Sequence, residues 1–457
     1  MNLDSVFFVS CFLPVALALY FAVPGLKAKN WVLLIVSLVF YSFGSLTGLG
    51  VLLAVCVGNF LLGLWLRSVK GKRLALIVGI LLNVCLLAMY KYLDFALSQI
   101  FGAPQLALGL AAPIGISFFT FKSISYLVHA YREPDQATKN VGGFMLYISF
   151  FPLVVMGPIT RFSDFAPQLT ERTHSAKEAA AGVRRFVVGL AKKLMIAGTL
   201  GGMVDSIYKL DAGVLDARLA WLAAIGYCLQ LFFDFSGYID MALGLSRVFG
   251  FRAVENFDYP YIAKTIGGFW RRWHMSLTGW FKDYIYIPLG GNRKGKFRSG
   301  VNKCIVFLLC GIWHGANWTF LLWGIWHGLF SLLESTNVIP AKKLEKTKAL
   351  GHVYTLLVVT IGFVMFRAAT VQQGITMIAT MFTGLRFSAA GTVALRSLLT
   401  GETAAMIAVG VLFSMPVGKK LPLRQEWIAA VVTIVLFVFC VIKLAAGDFA
   451  PSIYAGF

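Results

Sequence analysis

Residues 267–330 read GGFWRRWHMSLTGWFKDYIYIPLGGNRKGKFRSGVNKCIVFLLCGIWHGANWTFLLWGIWHGLF. Three of the six histidines of the chain, His274, His314 and His327, lie in this stretch. His274 sits in a segment where tryptophan alternates with arginine. The other two sit in an apolar run, Cys304–Phe330, that otherwise reads as one membrane helix. An ionisable side chain at bilayer depth is costly, so each histidine is a candidate functional group.

The surrounding composition sets the compartment. Of 457 residues, 58% are hydrophobic and 13% charged, with a mean hydropathy of +0.77. That excludes an ordinary soluble domain and implies a polytopic membrane protein. The net charge of +21, from 41 Lys+Arg against 20 Asp+Glu, would suggest nucleic acid on a soluble protein. Here it reads as basic cytoplasmic loops against anionic lipid, with no nucleic-acid partner. The seven cysteines lie mostly in apolar runs without a CxxC pair, so they read as small hydrophobes and not as a disulfide or metal site. No HExxH occurs, and no metal is expected.

Apolar runs of near-spanning length are Ser5–Val23, Trp31–Phe43, Leu49–Leu66, Leu74–Phe95, Leu110–Ala130, Val183–Met203, Leu219–Phe235, Cys304–Phe330, Tyr354–Phe366, Ala404–Met415 and Trp427–Leu444. The expectation is an all-α fold of about eleven transmembrane helices, plus re-entrant and interfacial pieces, in one integral domain over residues 1–457. The N-terminal run lacks a basic leader segment and reads as a first membrane helix, not a cleaved signal. Lys27 and Lys29 in the first turn, and the basic cluster Arg67–Arg73 after the third run, place the N-terminus outside. Basic residues then recur on both flanks of Phe144–Thr160, which carries Pro152 and Pro158. This predicts a re-entrant segment, and such backbone is tolerated only when buried in protein or lining a cavity.

Within Gly267–Arg298, aromatics with basic neighbours suit a helix at headgroup level, and a plain interfacial anchor is the structural alternative. His274, the PLGGN turn and the cations Arg271, Arg272, Arg293 and Lys294 go further. Backbone N–H groups and cations together suit a phosphate, as coenzyme A or a phosphopantetheine arm would supply. His314, among Trp313, Gly315 and Trp318, is a candidate general base, or else a histidine satisfied by an interhelical hydrogen bond. His327 is 13 residues further on, about 20 Å along a continuous helix, too far to share one small site. Asp234, Ser236, Tyr238, Asp240 and Asn317 are candidates to line the cavity, or to pair helices.

At this point a family resemblance emerges. GGFWRRWHMSLTGWFKDYIYIPLGGNRKG followed by LCGIWHGANWTFLLWGIWHG resembles the membrane-bound O-acyltransferases, in particular the bacterial branch containing the membrane subunit of alginate O-acetylation. PIGISFFTFKSISYLVHAYR, VVMGPITRF and LFFDFSGYIDMALG extend the resemblance over nearly the whole chain. It implies helices around a central funnel in the bacterial plasma membrane. A cytoplasmic thioester, acetyl-CoA or another, enters the funnel without a bound cofactor, and the acyl group leaves on the outer side. The resemblance assigns the catalytic histidine to His314 and a second important histidine to His274. It also implies an extracytoplasmic SGNH-type partner and a surface polysaccharide as acceptor. The sequence departs from the family pattern at Lys122 and His129, where Gln and Asp are common. The tail PSIYAGF matches a FIYFQF-type ending, and an acyl-carrier role for its tyrosine falls on Tyr454. D-alanyl transfer to teichoic acid is the rival within the family. A glycan transporter and a haem-binding electron carrier are the rivals outside it.

Overall fold

A computed structural model of the protein describes residues 1–68, 71–417 and 425–447. The described secondary structure is helical throughout, and the chain divides into two compact units. Six described helices are long and apolar enough to cross a bilayer, or seven if one pair bent by 69° is a single span. This is fewer than the expected eleven or so. The reason is local: several apolar runs form helices too short for the membrane by themselves, as below.

The first unit comprises Met1–Val187 and Tyr238–Val254. Its helices are α1 (Leu13–Ala22), α2 (Leu26–Ser42), α3 (Leu46–Arg67), α4 (Lys72–Lys91), α5 (Ile116–Arg132) and α6 (Val141–Ser149). Inside a membrane, burial of apolar surface no longer drives helices together, so close packing and polar pairs must. Both occur here. A Cβ on Gly63 of α3 would lie 2.2 Å from the Tyr126 hydroxyl of α5, so only glycine lets that ring in. Asn59 of α3 and Asn83 of α4 exchange side-chain amide hydrogen bonds of 3.2 and 2.7 Å. Each also donates to a carbonyl one turn back in its own helix, so the buried pair is satisfied. Lys122 of α5 is 1% exposed and donates to the Tyr147 carbonyl at 3.4 Å.

The stretch expected to be re-entrant breaks as its prolines require. After α6, Phe151–Val154 forms a single helical turn, and residues 157–161 run without helix. Almost all of it is buried. Its polar groups find protein partners: the Phe151 N–H donates to Ser37 Oγ at 3.0 Å, and the Tyr147 hydroxyl donates to the Thr160 carbonyl at 3.0 Å.

The division between units falls within α7 (Ala176–Ala191), and again within α9 (Ala217–Val248), with α8 (Gly198–Tyr208) between them. The second unit comprises Val188–Gly237 and the described residues from Glu255 onward. It holds α10 (Ile266–Trp270), α11 (Met275–Phe281), α12 (Gly295–His314), α13 (Trp318–Ser335), α14 (Leu350–Arg367), α15 (Val371–Thr383), α16 (Ala389–Leu398), α17 (Gly401–Phe413) and α18 (Glu426–Ala446). Asp216 begins α9: its Oδ1 accepts the N–H groups of Arg218 (3.0 Å) and Leu219 (3.2 Å), and Arg218 pairs with its Oδ2 at 2.6 Å.

The run Cys304–Phe330, expected as one helix, is two. The helix stops at His314, Gly315 is extended, and Asn317 starts α13 by accepting the Thr319 N–H at 3.1 Å. Glycine and asparagine at those places are ordinary stop and start signals. The two helices fold back on each other through glycines. A Cβ on Gly311 would lie 2.4 Å from the Phe320 carbonyl oxygen, and one on Gly324 would lie 2.5 Å from that of Phe307.

Candidate active site

His274 sits at a sharp corner between α10 and α11. Its backbone is left-handed (φ 45°, ψ 54°), one of three non-glycine residues with positive φ among those described. Such a conformation costs on the order of 1–3 kcal/mol and persists only when neighbours over-determine it. Here a stretch running antiparallel to the corner does so. The Asn256 carbonyl accepts the Met275 N–H (2.9 Å), and its side-chain Oδ1 accepts the Ser276 N–H (2.9 Å) and lies 3.3 Å from His274 Nδ1. Two residues on, the Asp258 N–H donates to the Arg272 carbonyl (3.0 Å), and Arg272 reaches the Asp258 carboxylate (2.5 Å). The His274 ring is 2% exposed and stands edge-on to Phe235, centroids 4.7 Å apart.

His314 closes the last turn of α12 and is 6% exposed. Its ring stands edge-on to Trp323 (5.2 Å) and Phe366 (5.0 Å). The helix break therefore puts the histidine at a hairpin tip, where a single long helix would have placed it mid-span. His327 also packs against Trp323 (5.1 Å) and against Trp270 (5.0 Å). It is fully buried, and neither ring nitrogen has a hydrogen-bond partner among the described residues.

His274 and His314 line one cavity of about 420 Å³. Its wall follows helical periodicity. Lys303, Phe307, Cys310 and His314 come from one face of α12, and His274, Leu277, Thr278 and Phe281 from the corner and one face of α11. The positions i, i+4, i+7 and i+11 in the first set, and i, i+3, i+4 and i+7 in the second, are what one helix face requires. Arg271, Lys282 and Lys303 bring positive charge to the wall, and Glu334 brings a carboxylate. That carboxylate is engaged: it accepts the Ile266 N–H (2.6 Å), the Gly267 N–H (2.9 Å) and the Tyr354 hydroxyl (3.2 Å). The wall thus favours an anionic guest. Among the wall residues, the Trp270 indole N–H and His274 Nε2 are buried and have no hydrogen-bond partner among the described residues.

The structure gathers some of the sequence candidates and disperses others. Arg271 lines the cavity with the two histidines. Arg272 is held by Asp258 instead, and Arg293 and Lys294 are exposed on the turn before α12. Of the five proposed lining residues, Asp234 forms a buried ion pair with Lys193, and Asp240 pairs with Arg185 at 2.9 Å. Ser236 Oγ is buried without a hydrogen-bond partner among the described residues, and Tyr238 is buried. Asn317 caps α13 and donates to the Ala369 carbonyl (3.1 Å). None of these five is in the wall of this cavity. Tyr454 lies outside the described residues. Reading the sequence missed Lys282, Lys303, Glu334 and Asn256. The first two carried a signal, since they fall on the same helical faces as the histidines.

Residues 36–372 match the model of MBOAT, the membrane-bound O-acyltransferase family. The chain is 40% identical to a probable alginate O-acetylase of Azotobacter vinelandii, over 82% of this chain and 77% of that protein. It is 34% identical to a probable alginate O-acetylase of Pseudomonas putida, over 98% and 99%. A peptidoglycan O-acetyltransferase of Helicobacter pylori is 34% identical over 82% and 78%.

Proposed function

The chain belongs to the membrane-bound O-acyltransferase family, and on that premise we propose that it moves an acetyl group from a cytoplasmic thioester toward a hydroxyl of an extracytoplasmic polysaccharide. The observation that carries this reading is the single cavity lined by both His274 and His314, with cations along its wall.

The chemistry follows from what such a cavity can hold. Arg271, Lys282 and Lys303 meet the phosphates of a donor such as acetyl-CoA. His314 acts as general base: its ring nitrogen takes the proton of the acceptor hydroxyl as the oxygen attacks the thioester carbonyl. A C–O bond forms, the C–S bond breaks, and the leaving thiolate recovers that proton. The Trp270 N–H receives the developing oxyanion, and His274 orients the acceptor hydroxyl. The protein resides in the plasma membrane, and an SGNH-type partner completes transfer to the polymer outside.

The test is acyl release by mild base from surface polysaccharide, in cells carrying wild type or His314→Ala at matched protein level. Acetate released from wild type and lost in the variant is expected. Release of D-alanine instead would assign the chain to teichoic-acid modification. Equal acetate from both strains would remove His314 from the chemistry.

A further inference from the structure

The corner at His274 fixes more than its backbone. Asn256 is fully buried, and its side chain accepts the Ser276 backbone N–H at 2.9 Å. A backbone N–H can only donate, so it is the amide oxygen, not the amide nitrogen, that faces this corner. The same oxygen lies 3.3 Å from His274 Nδ1. An amide oxygen can only accept, so Nδ1 must carry the hydrogen. A neutral imidazole has one N–H, which leaves Nε2 bare, and Nε2 has no hydrogen-bond partner among the described residues.

We propose that Asn256 is a positioning residue that holds His274 as the Nδ1–H tautomer and so leaves Nε2 bare, a proton or hydrogen-bond acceptor beside the cavity. The tautomer stands independently of the function proposed above; its use in catalysis rests on that reading. An amide suits the task where a carboxylate would not. A carboxylate at this oxygen would favour the imidazolium and fill the Nε2 lone pair with a proton. The ionisable groups around the ring come from every neighbouring element. On α9, Asp234 is paired with Lys193. Beside the corner, Asp258 is paired with Arg272. The cavity wall adds Arg271, Lys282 and Tyr286, with Lys303 and His314 from α12 and Glu334 from α13.

The first test uses wild-type protein in lipid vesicles, with 15N-labelled imidazoles observed by solid-state NMR at pH 8. His274 is assigned by difference against His274→Asn, a residue that tolerates the left-handed backbone. A protonated Nδ1 and bare Nε2 are expected, and the opposite tautomer would overturn the proposal. This readout needs no activity, so it separates failure of the tautomer from failure of the functional reading. The second test compares acetyl-CoA turnover across pH. Asn256→Asp keeps the oxygen but adds charge. It should move the acid limb of kcat/KM up by about one pH unit or more. Asn256→Leu should lower kcat about 100-fold with little change in KM. A limb unmoved in a folded Asn256→Asp protein would reduce Asn256 to a structural residue. If that variant does not fold, the wild-type spectrum decides.

Discussion

Gly311→Ala tests whether the α12–α13 hairpin sets the position of His314. The added carbon would lie 2.4 Å from the Phe320 carbonyl oxygen and 3.4 Å from Gly324 Cα. A carbon and a carbonyl oxygen ordinarily approach no closer than about 3.3 Å, so the helices must part by about 1 Å. Both neighbours are backbone, and no rotamer change relieves the clash. Overpacking of this kind costs about 1–3 kcal/mol, of which alanine's better helix propensity returns about 1 kcal/mol. The fold should therefore survive, with a thermal midpoint lower by a few degrees. Activity should suffer more, because His314 follows three residues later and a misplacement of about 1 Å can cost roughly 100-fold. The assay is acetyl-CoA turnover in membranes at matched protein level. Gly279→Ala is the control: it also lies in the site region, but nothing stands within 4 Å of its added carbon. A Gly311→Ala protein with wild-type rate and midpoint would refute the reasoning.

Two further outcomes follow from named contacts. Glu334→Gln replaces a carboxylate that serves two N–H groups and the Tyr354 hydroxyl with one acceptor oxygen. It should cost about 1–3 kcal/mol, read as a lower thermal midpoint, and slow turnover because α10 carries Trp270 and leads into the His274 corner; an unchanged melt and rate would discount that coupling. Burial alone would raise the Asp216 carboxyl, but bonds from Arg218 and from the Leu219 and Arg218 N–H groups hold it below its ordinary range. Its contribution is thus present above the unfolded carboxyl pKa, near 3.9, and lost as pH falls below it. Asp216→Asn should lower stability at pH 7 by about 1 kcal/mol and flatten the acid limb of a melting-versus-pH curve; a limb as steep as wild type would contradict this.

The site was legible in the sequence where its residues are close along the chain, and hidden where folding joins distant ones. His274, His314 and Arg271 share one short stretch, and the structure unites them. The hairpin was also written there. An apolar run of 27 residues from Cys304 to Phe330 exceeds a typical span of about 20 residues, and Gly315 and Asn317 are a stop and a start. Hydrophobicity masked that signal. Asn256 lies 18 residues from His274, with no local pattern to tie them. The carboxylates Asp234 and Asp240 read as cavity residues because their partners, Lys193 and Arg185, are 41 and 55 residues away. The count of about eleven spans is not confirmed, for a different reason. Periods and lengths identify apolar helices, but the continuous helix Phe8–Ala22 that α1 completes and α2 at 17 residues both fall short of a full span.

The face of α12 that lines the cavity is also a ruler. Lys303 and His314 stand on it 11 residues apart, or about 16 Å at the rise of an α-helix. A donor that rests its phosphate at one mark and its thioester at the other must carry a slender arm of about that length between them. A compact activated acyl group, such as an acyl phosphate, would engage either mark but not both. Selection of the donor class would then require no pocket shaped to the acyl group itself, only a rigid helix that fixes how far charge lies from chemistry.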